Sequence, residues 1–290
     1  MKYCVNYYRR FRYKNQIDEI ILRYKDRQIG LIDFLKKKAQ PHQRIIISPE
    51  YDVSISKNLD IIEAAKKIHK NIAVLLPYEQ KDVAIDLSEM NVDFFFKEFV
   101  SGWDTLMSFV NYGVSDIYIV NELGFELKEV AKVCHNKNVK VRVFPNVAQY
   151  GNKIKNLNNF NSFFIRPEDI ALYEPYVDVC EFFGPLDRYS VLYDIYTKGT
   201  WIGDLKDLII GLDFSIANNT IMPLFGERRL NCGKKCYQGK CIICEKITSV
   251  AQQLEEANLV VRKSKEKKID SENEPESVET DNVDETGQTT

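Results

Sequence analysis

Short runs of β-branched and aromatic residues alternate with amphipathic stretches along most of this chain. Eight near-continuous apolar runs predict strands: IDEIILRY (17–24), RIIISP (44–49), IAVLLP (72–77), DFFFKE (93–98), DIYIVN (116–121), VKVRVFPN (139–146), SFFIRP (162–167) and VDVCEFFG (177–184). Runs apolar at nearly every position suit parallel strands covered on both faces. Between them, NLDIIEAAKKIHK (58–70) and GFELKEVAKVCHNK (124–137) have helical spacing. In the second, Leu127, Val130, Ala131 and Cys134 fall at i, i+3, i+4 and i+7 and make one stripe. A further helix is predicted at 188–198. The connection after the third of these strands has a weaker helical pattern, and the Asn-rich stretch 147–161 predicts mostly loop.

Eight strands, each followed by a connection, match the arithmetic of a compact TIM-type (β/α)8 barrel. An open doubly wound sheet shares the same periodicity. The α/β barrel is expected over 15–225, after an N-terminal strand-like extension at 1–14. A cysteine-rich metal loop and a helix should follow at 226–262, and a basic-then-acidic tail at 263–290.

Composition narrows the class. Of 290 residues, 44% are hydrophobic and 28% charged, as in ordinary globular proteins. No apolar stretch reaches membrane-spanning length, and the start, MKYCVNYYRRFRYKNQ, lacks the apolar core of a secretory signal. The expected setting is therefore the cytoplasm, where clustered cysteines signal metal more often than disulfides. The net charge of −2 conceals an asymmetry. Residues 270–290 hold eight carboxylates and no Lys or Arg, which predicts disorder there. The rest of the chain has 40 basic against 34 acidic residues.

The strongest chemical signal is NCGKKCYQGKCIICEKI (231–247), in which Cys232, Cys236, Cys241 and Cys244 have the spacing C-x3-C-x4-C-x2-C. Arg228, Arg229, Lys234, Lys235 and Lys240 surround these thiols with a field that favours thiolate. Structural zinc sites usually pair two short knuckles across a longer spacer. One loop wrapping all four corners suits a [4Fe–4S] cube, and zinc remains the alternative. Cys4, Cys134 and Cys180 lie in apolar runs and read as core packing.

In a barrel, chemistry sits where strands end. Those ends offer Glu50, Asp52, Tyr78, Glu79, Lys97, Glu98, Asn121, Glu122, Asn146, Arg166 and Glu181. Glu98, Glu122, Arg166 and Glu181 are the catalytic candidates, with Glu50 and Asn146 as substrate-binding candidates. Glu181 interrupts the apolar run VDVCEFF and needs a partner or a task. Arg166 is the expected partner, or else an anion clamp. The three histidines form no metal-type pair, and no nucleophile elbow, dinucleotide fingerprint or P-loop occurs. Cysteines beyond the eighth strand also argue against a radical-SAM barrel, whose cysteines follow the first.

Residues 103–146 resemble the collagenase-like peptidase family of TIM-barrel proteins. The similarity is carried by Tyr112, Gly113, Asp116, Tyr118, Leu127, Glu129, Val130, Val139, Lys140 and Val141. Several members of that family are iron–sulfur proteins implicated in oxygen-independent hydroxylation of RNA bases or quinone precursors. The resemblance therefore implies an iron–sulfur barrel enzyme acting on RNA or a small metabolite. Family cysteines are dispersed around the barrel, whereas these are clustered beyond it, so the family's cysteine positions do not carry over. The competing expectation is a non-catalytic barrel whose zinc-stapled basic loop binds nucleic acid or protein through Arg228, Arg229, Lys234, Lys235 and Tyr237. In a third reading, the four cysteines only staple the C-terminal helix. None of these involves a membrane.

Overall fold

Apolar runs with few polar interruptions become the strands of one parallel sheet. The computed structural model describes residues 1–7, 9–24, 28–49, 54–56, 58–120, 126–148, 164–212, 215–221, 225–231 and 253. The strands are β1 (Lys2–Asn6), β2 (Glu19–Tyr24), β3 (Arg44–Pro49), β4 (Ile72–Leu76), β5 (Asp93–Phe96), β6 (Phe99–Val100), β7 (Asp116–Ile119), β8 (Lys140–Val143) and β9 (Val179–Glu181). They pair in the order β5-β4-β3-β2-β1-β9-β8-β7-β6. Every ladder is parallel. Only Lys97 and Glu98 separate the two edge strands in sequence, and the Ser115 N–H donates to the Phe94 carbonyl at 2.8 Å. The nine-stranded sheet is thereby nearly closed into a barrel.

Helices fill most connections. They are α1 (Gln28–Lys37), α2 (Leu59–Ile68), α3 (Ala84–Glu89), α4 (Trp103–Asn111), α5 (Leu127–His135), α6 (Ile170–Tyr173) and α7 (Tyr189–Lys198). The predicted stripe of α5 is the face it buries, since Leu127, Val130, Ala131 and Cys134 are all inside. Helix α7 ends at Gly199, whose left-handed backbone (φ 66°) returns its N–H to the Ile195 carbonyl. The connection after β4 is a 3-10 turn over Tyr78–Val83 followed by the six-residue α3, which accounts for its weak periodicity. Among the described residues no helix is long and apolar enough to cross a membrane.

Two strands differ from expectation. Lys2–Asn6, expected as part of an extension outside a barrel starting at residue 15, lies between β2 and β9 in the middle of the pairing order. The described residues of the crossover from β1 to β2 form turns and no helix, so the βα rhythm does not announce it. In SFFIRP, residues 162 and 163 lie outside the described residues and 164–166 belong to no strand, although the Ile165 N–H donates to the Pro145 carbonyl at 2.9 Å.

Beyond α7 the chain adds α8 (Leu205–Leu208) and α9 (Phe225–Leu230). Residue 210 extends the sheet beside β8: its N–H donates to Asn146 O and its carbonyl accepts from Ala148 N, both at 2.8 Å. Apart from Gln253, the predicted cysteine loop, helix and tail from residue 232 onward lie outside the described residues.

Candidate active site

The barrel interior is built on charge at the amino end of the sheet. Arg44, Glu19 and Asp116 each open a strand and point inward, and Arg142 reaches them from the middle of β8. Arg44 Nη1 grips both oxygens of Asp116 at 2.8 and 2.7 Å, while its Nη2 donates to Asp93 at 2.8 Å and to Ser115 Oγ at 2.9 Å. Arg142 Nη1 donates to Glu19 Oε2 at 2.5 Å and Asp116 Oδ1 at 3.1 Å, and its Nη2 to Glu181 Oε2 at 3.2 Å. The Tyr118 hydroxyl donates to the same Glu181 oxygen at 2.7 Å. The Phe95 ring lies under both guanidinium groups, at 5.8 Å from Arg44 and 5.0 Å from Arg142. Charges so deep must be paired, because an unpaired one would carry its full desolvation cost.

The pairing sets the titration of the network. Burial alone would raise the Asp116 carboxyl, but Arg44 and then Arg142 outweigh it and hold it down to about 2, below its usual 3.8. Glu181 goes the other way: burial raises it, against the opposing pull of Arg142 and the Tyr118 bond. A depressed carboxyl contributes stability above its unfolded value and loses it as pH falls through the folded one. A raised carboxyl is without penalty below its unfolded value and opposes folding once pH rises through the folded one. Stability should therefore peak in mild acid, fall by about 2 kcal/mol towards pH 2 as Asp116 protonates, and decline gently towards neutrality. Urea midpoints from pH 2 to 8 test this, and Glu181→Gln should flatten the neutral arm alone.

At the carboxyl end, period-two alternation carries the interior face upward from the same network. Cys4 pairs in register with Glu19 and with Glu181, and Glu19 with Arg44, so all four share that face. Two or four residues on, the face continues as Asn6, Arg23 and Ser48. Asn6 donates to the Tyr189 hydroxyl at 3.3 Å, and Arg23 lies near enough to oppose the burial-driven rise of the same phenol. Lys97, two residues after the inward Phe95, reaches past β4 to donate to the Pro49 carbonyl at the end of β3. The opposite side of the mouth is aromatic. Tyr118 stacks on Phe144 at 5.2 Å, Phe99 meets both edge-on at 5.8 and 5.7 Å, and Phe183 meets Phe144 at 6.0 Å.

The sequence-predicted residues separate accordingly. Glu98 lies at the carboxyl end of the sheet, between the inward Lys97 and Phe99: Oε1 accepts the Tyr78 N–H at 3.0 Å, whereas Oε2 is buried with no hydrogen-bond partner among the described residues. Glu181 has the partner its setting required, but that partner is Arg142 and not Arg166. Arg166 is buried in a fork with Asp169, with Nε at 2.7 Å and Nη2 at 3.0 Å, so its carboxylate partner is Asp169. Asn146 is 1% exposed, and its amide exchanges two hydrogen bonds with the Phe183 backbone, at 2.7 and 3.1 Å. It ties the chain just after β8 to the chain just after β9. Arg229, expected at a nucleic-acid surface, is also inside, at 4.7 Å from the Phe164 ring and 4.9 Å from Phe225. Arg228 is exposed. Glu50, Glu122, Lys234, Lys235, Tyr237 and the four clustered cysteines lie outside the described residues.

Cys4, Cys134 and Cys180 are free and buried, and burial pushes all three thiols up, Cys134 to about 12. They are protonated packing groups, as their apolar settings predict. Among the described residues no group of three or more His, Cys, Asp or Glu is arranged to hold a metal. Arg142, Arg44, Glu19 and Asp116 were the residues missed. Arg142 has the signal that singled out Glu181, a charge inside an apolar run (VKVRVF), whereas Arg44, Glu19 and Asp116 stand where the runs RIIIS, EIIL and DIYI begin. No protein-family model matches the chain, and no curated protein matches it.

Proposed function

We propose that this chain is a metal-dependent barrel enzyme working at the carboxyl end of its sheet. The observation that carries this reading is the contrast between the two ends of one interior. The amino end is closed by paired charges, while the carboxyl end presents exposed Arg23, half-buried Lys97 and Ser48, and a Glu98 oxygen without a hydrogen-bond partner among the described residues. Parallel barrels place chemistry at that end. Counting 93–100 as one strand bent at Lys97 and Glu98 gives the eight staves of a TIM-type barrel, the finer architecture proposed here. Glu98 is the acid–base candidate, and Glu181 acts one layer lower by fixing Arg142 and Tyr118.

The metal is assigned to Cys232, Cys236, Cys241 and Cys244. Four thiolates beside three lysines are a donor set suited to a [4Fe–4S] cluster, with zinc as the alternative. A cluster would supply one-electron transfer, and zinc a fixed staple. The placement of the preceding residue supports an active-site role: Lys128, in the first turn of α5, donates to the Asn231 side chain. In a parallel βα sheet that turn follows the carboxyl end of its strand, here β7, so the chain enters the cysteine loop beside the helix that begins there. The nucleic-acid reading is weakened by Arg229, which is already engaged inside.

Anaerobic purification should give a brown protein, with broad absorption near about 400 nm and with iron and sulfide in equal amounts. Serine at Cys236 and Cys241 should abolish both signals. A colourless protein holding one zinc would overturn the electron-transfer role.

A further inference from the structure

We propose that the acidic stretch 270–290 of this chain docks on a basic strap on the outside of the barrel, the crossover from β1 to β2, where it meets Arg9, Arg10, Arg12, Lys14 and Lys38. The proposal is independent of the metal and of the reading of the carboxyl end as the active site.

The strap stands where a barrel ordinarily places a helix, between α1 and α7. Its backbone is fastened at several points. The Arg12 N–H donates to Ser190 Oγ at 3.0 Å, and the buried Gln43 amide donates to the Lys14 and Ile17 carbonyls at 2.5 and 3.0 Å. Its rings pack against the flanking helices. Tyr7 meets Phe34 of α1 edge-on at 4.7 Å, while Phe11 and Tyr13 meet Tyr193 of α7 at 6.1 and 4.9 Å. The cations between those rings are left outside, with Arg9, Arg10 and Arg12 exposed and Lys14 half-buried. Lys38, just beyond α1, reaches the same strap and donates to the Tyr7 hydroxyl at 3.4 Å. An array held this firmly gives up little freedom when it meets an anion.

Four cations within residues 9–14 repel one another, a penalty that a covering strap of neutral polar residues would avoid. The carboxylates nearby do not remove it. Asp33 pairs with Lys37 at 3.1 Å, Asp194 faces Lys198 at 4.0 Å, and Asp18 accepts the Tyr3 N–H at 2.9 Å. Among the described residues, Arg9, Arg10, Arg12, Lys14 and Lys38 form no ion pair. The strap, residues 28–43 and α7 together hold eight cations against three carboxylates. The stretch 270–290, outside the described residues, has the opposite imbalance, with eight carboxylates and no Lys or Arg. Asp270, Glu272, Glu274 and Glu276 place one at every second residue. Residues 231–269 join it to the end of α9 and span about 58 Å even at helical rise, against a width of roughly 45 Å for a domain of this length. The strap is therefore within reach. Tethering sets a local concentration on the order of millimolar, so several weak surface pairs suffice to hold the stretch.

Cleavage of the full chain by glutamyl endopeptidase tests this, with a synthetic 270–290 peptide in the same tube as the unprotected standard. At about 20 mM salt the chain should be cut within 270–290 about tenfold more slowly than the peptide, and at about 0.5 M salt equally fast. Arg9→Gln, Arg10→Gln and Arg12→Gln together should abolish the protection at low salt. Arg9→Lys, Arg10→Lys and Arg12→Lys together should retain it, because the charge is kept. Equal thermal midpoints would show that both triple variants are folded. A parent chain cut as fast as the peptide at low salt would overturn the proposal, as would protection unaltered in the Gln triple. Protection that fades on about tenfold dilution would place the stretch on a second copy and overturn it as well. A fluorescein-labelled single-stranded RNA of about 20 nucleotides tests the competing occupant. It should bind about tenfold more tightly once the eight carboxylates of 270–290 are changed to Asn and Gln, and the Gln triple should cancel that gain. RNA binding through the strap that the eight substitutions leave unchanged would make nucleic acid the occupant in place of this stretch.

Discussion

Arg142→Met is expected to remove about 3–5 kcal/mol of stability, a large share of the roughly 5–15 kcal/mol that holds a typical domain together. The side chain is fully buried and joins Glu19, Asp116 and Glu181, three strands' worth of carboxylate, through one guanidinium. Methionine fills much of the volume but leaves Glu19 with only its longer ion pair to Arg44 at 3.7 Å and Glu181 with Tyr118 alone. Asp116 keeps Arg44. The cost is that of stranded charge and exceeds that of lost contact, so it should be partly recoverable. Adding Glu181→Gln to Arg142→Met should return about 1–2 kcal/mol, since one stranded charge is gone. Arg142→Lys should recover little, because an ammonium cannot reproduce a fork spanning three acceptors. Urea unfolding of the four proteins measures this. If Arg142→Met lost less than about 1 kcal/mol, the interior charges would be no more than a solvated patch.

The same residues explain how much of the molecule could be read in advance. RIIISP and IAVLL became strands at nearly the predicted limits because continuous burial leaves a continuous apolar run. The α5 stripe was legible because one helix face is buried and the other is wet. Lys2–Asn6 was not recognised as a stave because KYCVN is mixed in polarity and no helix follows it. Its inward positions face the ion network and so carry no simple apolar signature. SFFIRP misled for the converse reason: Phe164 and Ile165 are buried, but by packing outside the sheet, and periodicity does not record which surface does the covering. At the site, composition showed that Glu181 needed a partner, but the choice between Arg142 and Arg166 depended on register. Residue 142 reaches the inward face of a neighbouring strand, whereas Arg166 comes off an extended segment outside the sheet, three residues before Asp169. Arg23 and Phe183 are 160 residues apart in sequence and come to the same end of the sheet only through the order of strands.

Gly226→Ala should release α9 from the barrel. A methyl at residue 226 would sit 2.4 Å from Asp169 Cγ and 2.6 Å from its Cβ, closer than non-bonded carbons approach. Asp169 cannot simply turn aside, because it is buried and locked by the two-pronged bond from Arg166. Arg166 in turn lies 5.2 Å from the Phe225 ring, and Arg229 lies 4.9 Å from the same ring. Moving the carboxylate would strand a buried guanidinium, whereas lifting α9 exposes one phenylalanine and one arginine. At six residues, α9 has little helical stability of its own, so the second route should prevail. The expected result is local. Amide exchange over 225–231 should quicken about a hundredfold, equivalent to about 3 kcal/mol, while the strands of the sheet keep their protection. A global fall in protection would mean instead that Asp169 gave way and the defect spread into the wall. Unchanged exchange throughout would show that the close approach of residue 226 to Asp169 does not hold the helix in place. Because Cys232 lies two residues beyond the end of α9, the local outcome would also loosen the base of the cysteine loop. It would thereby connect a packing defect on the outside of the barrel to the retention of whatever metal that loop holds.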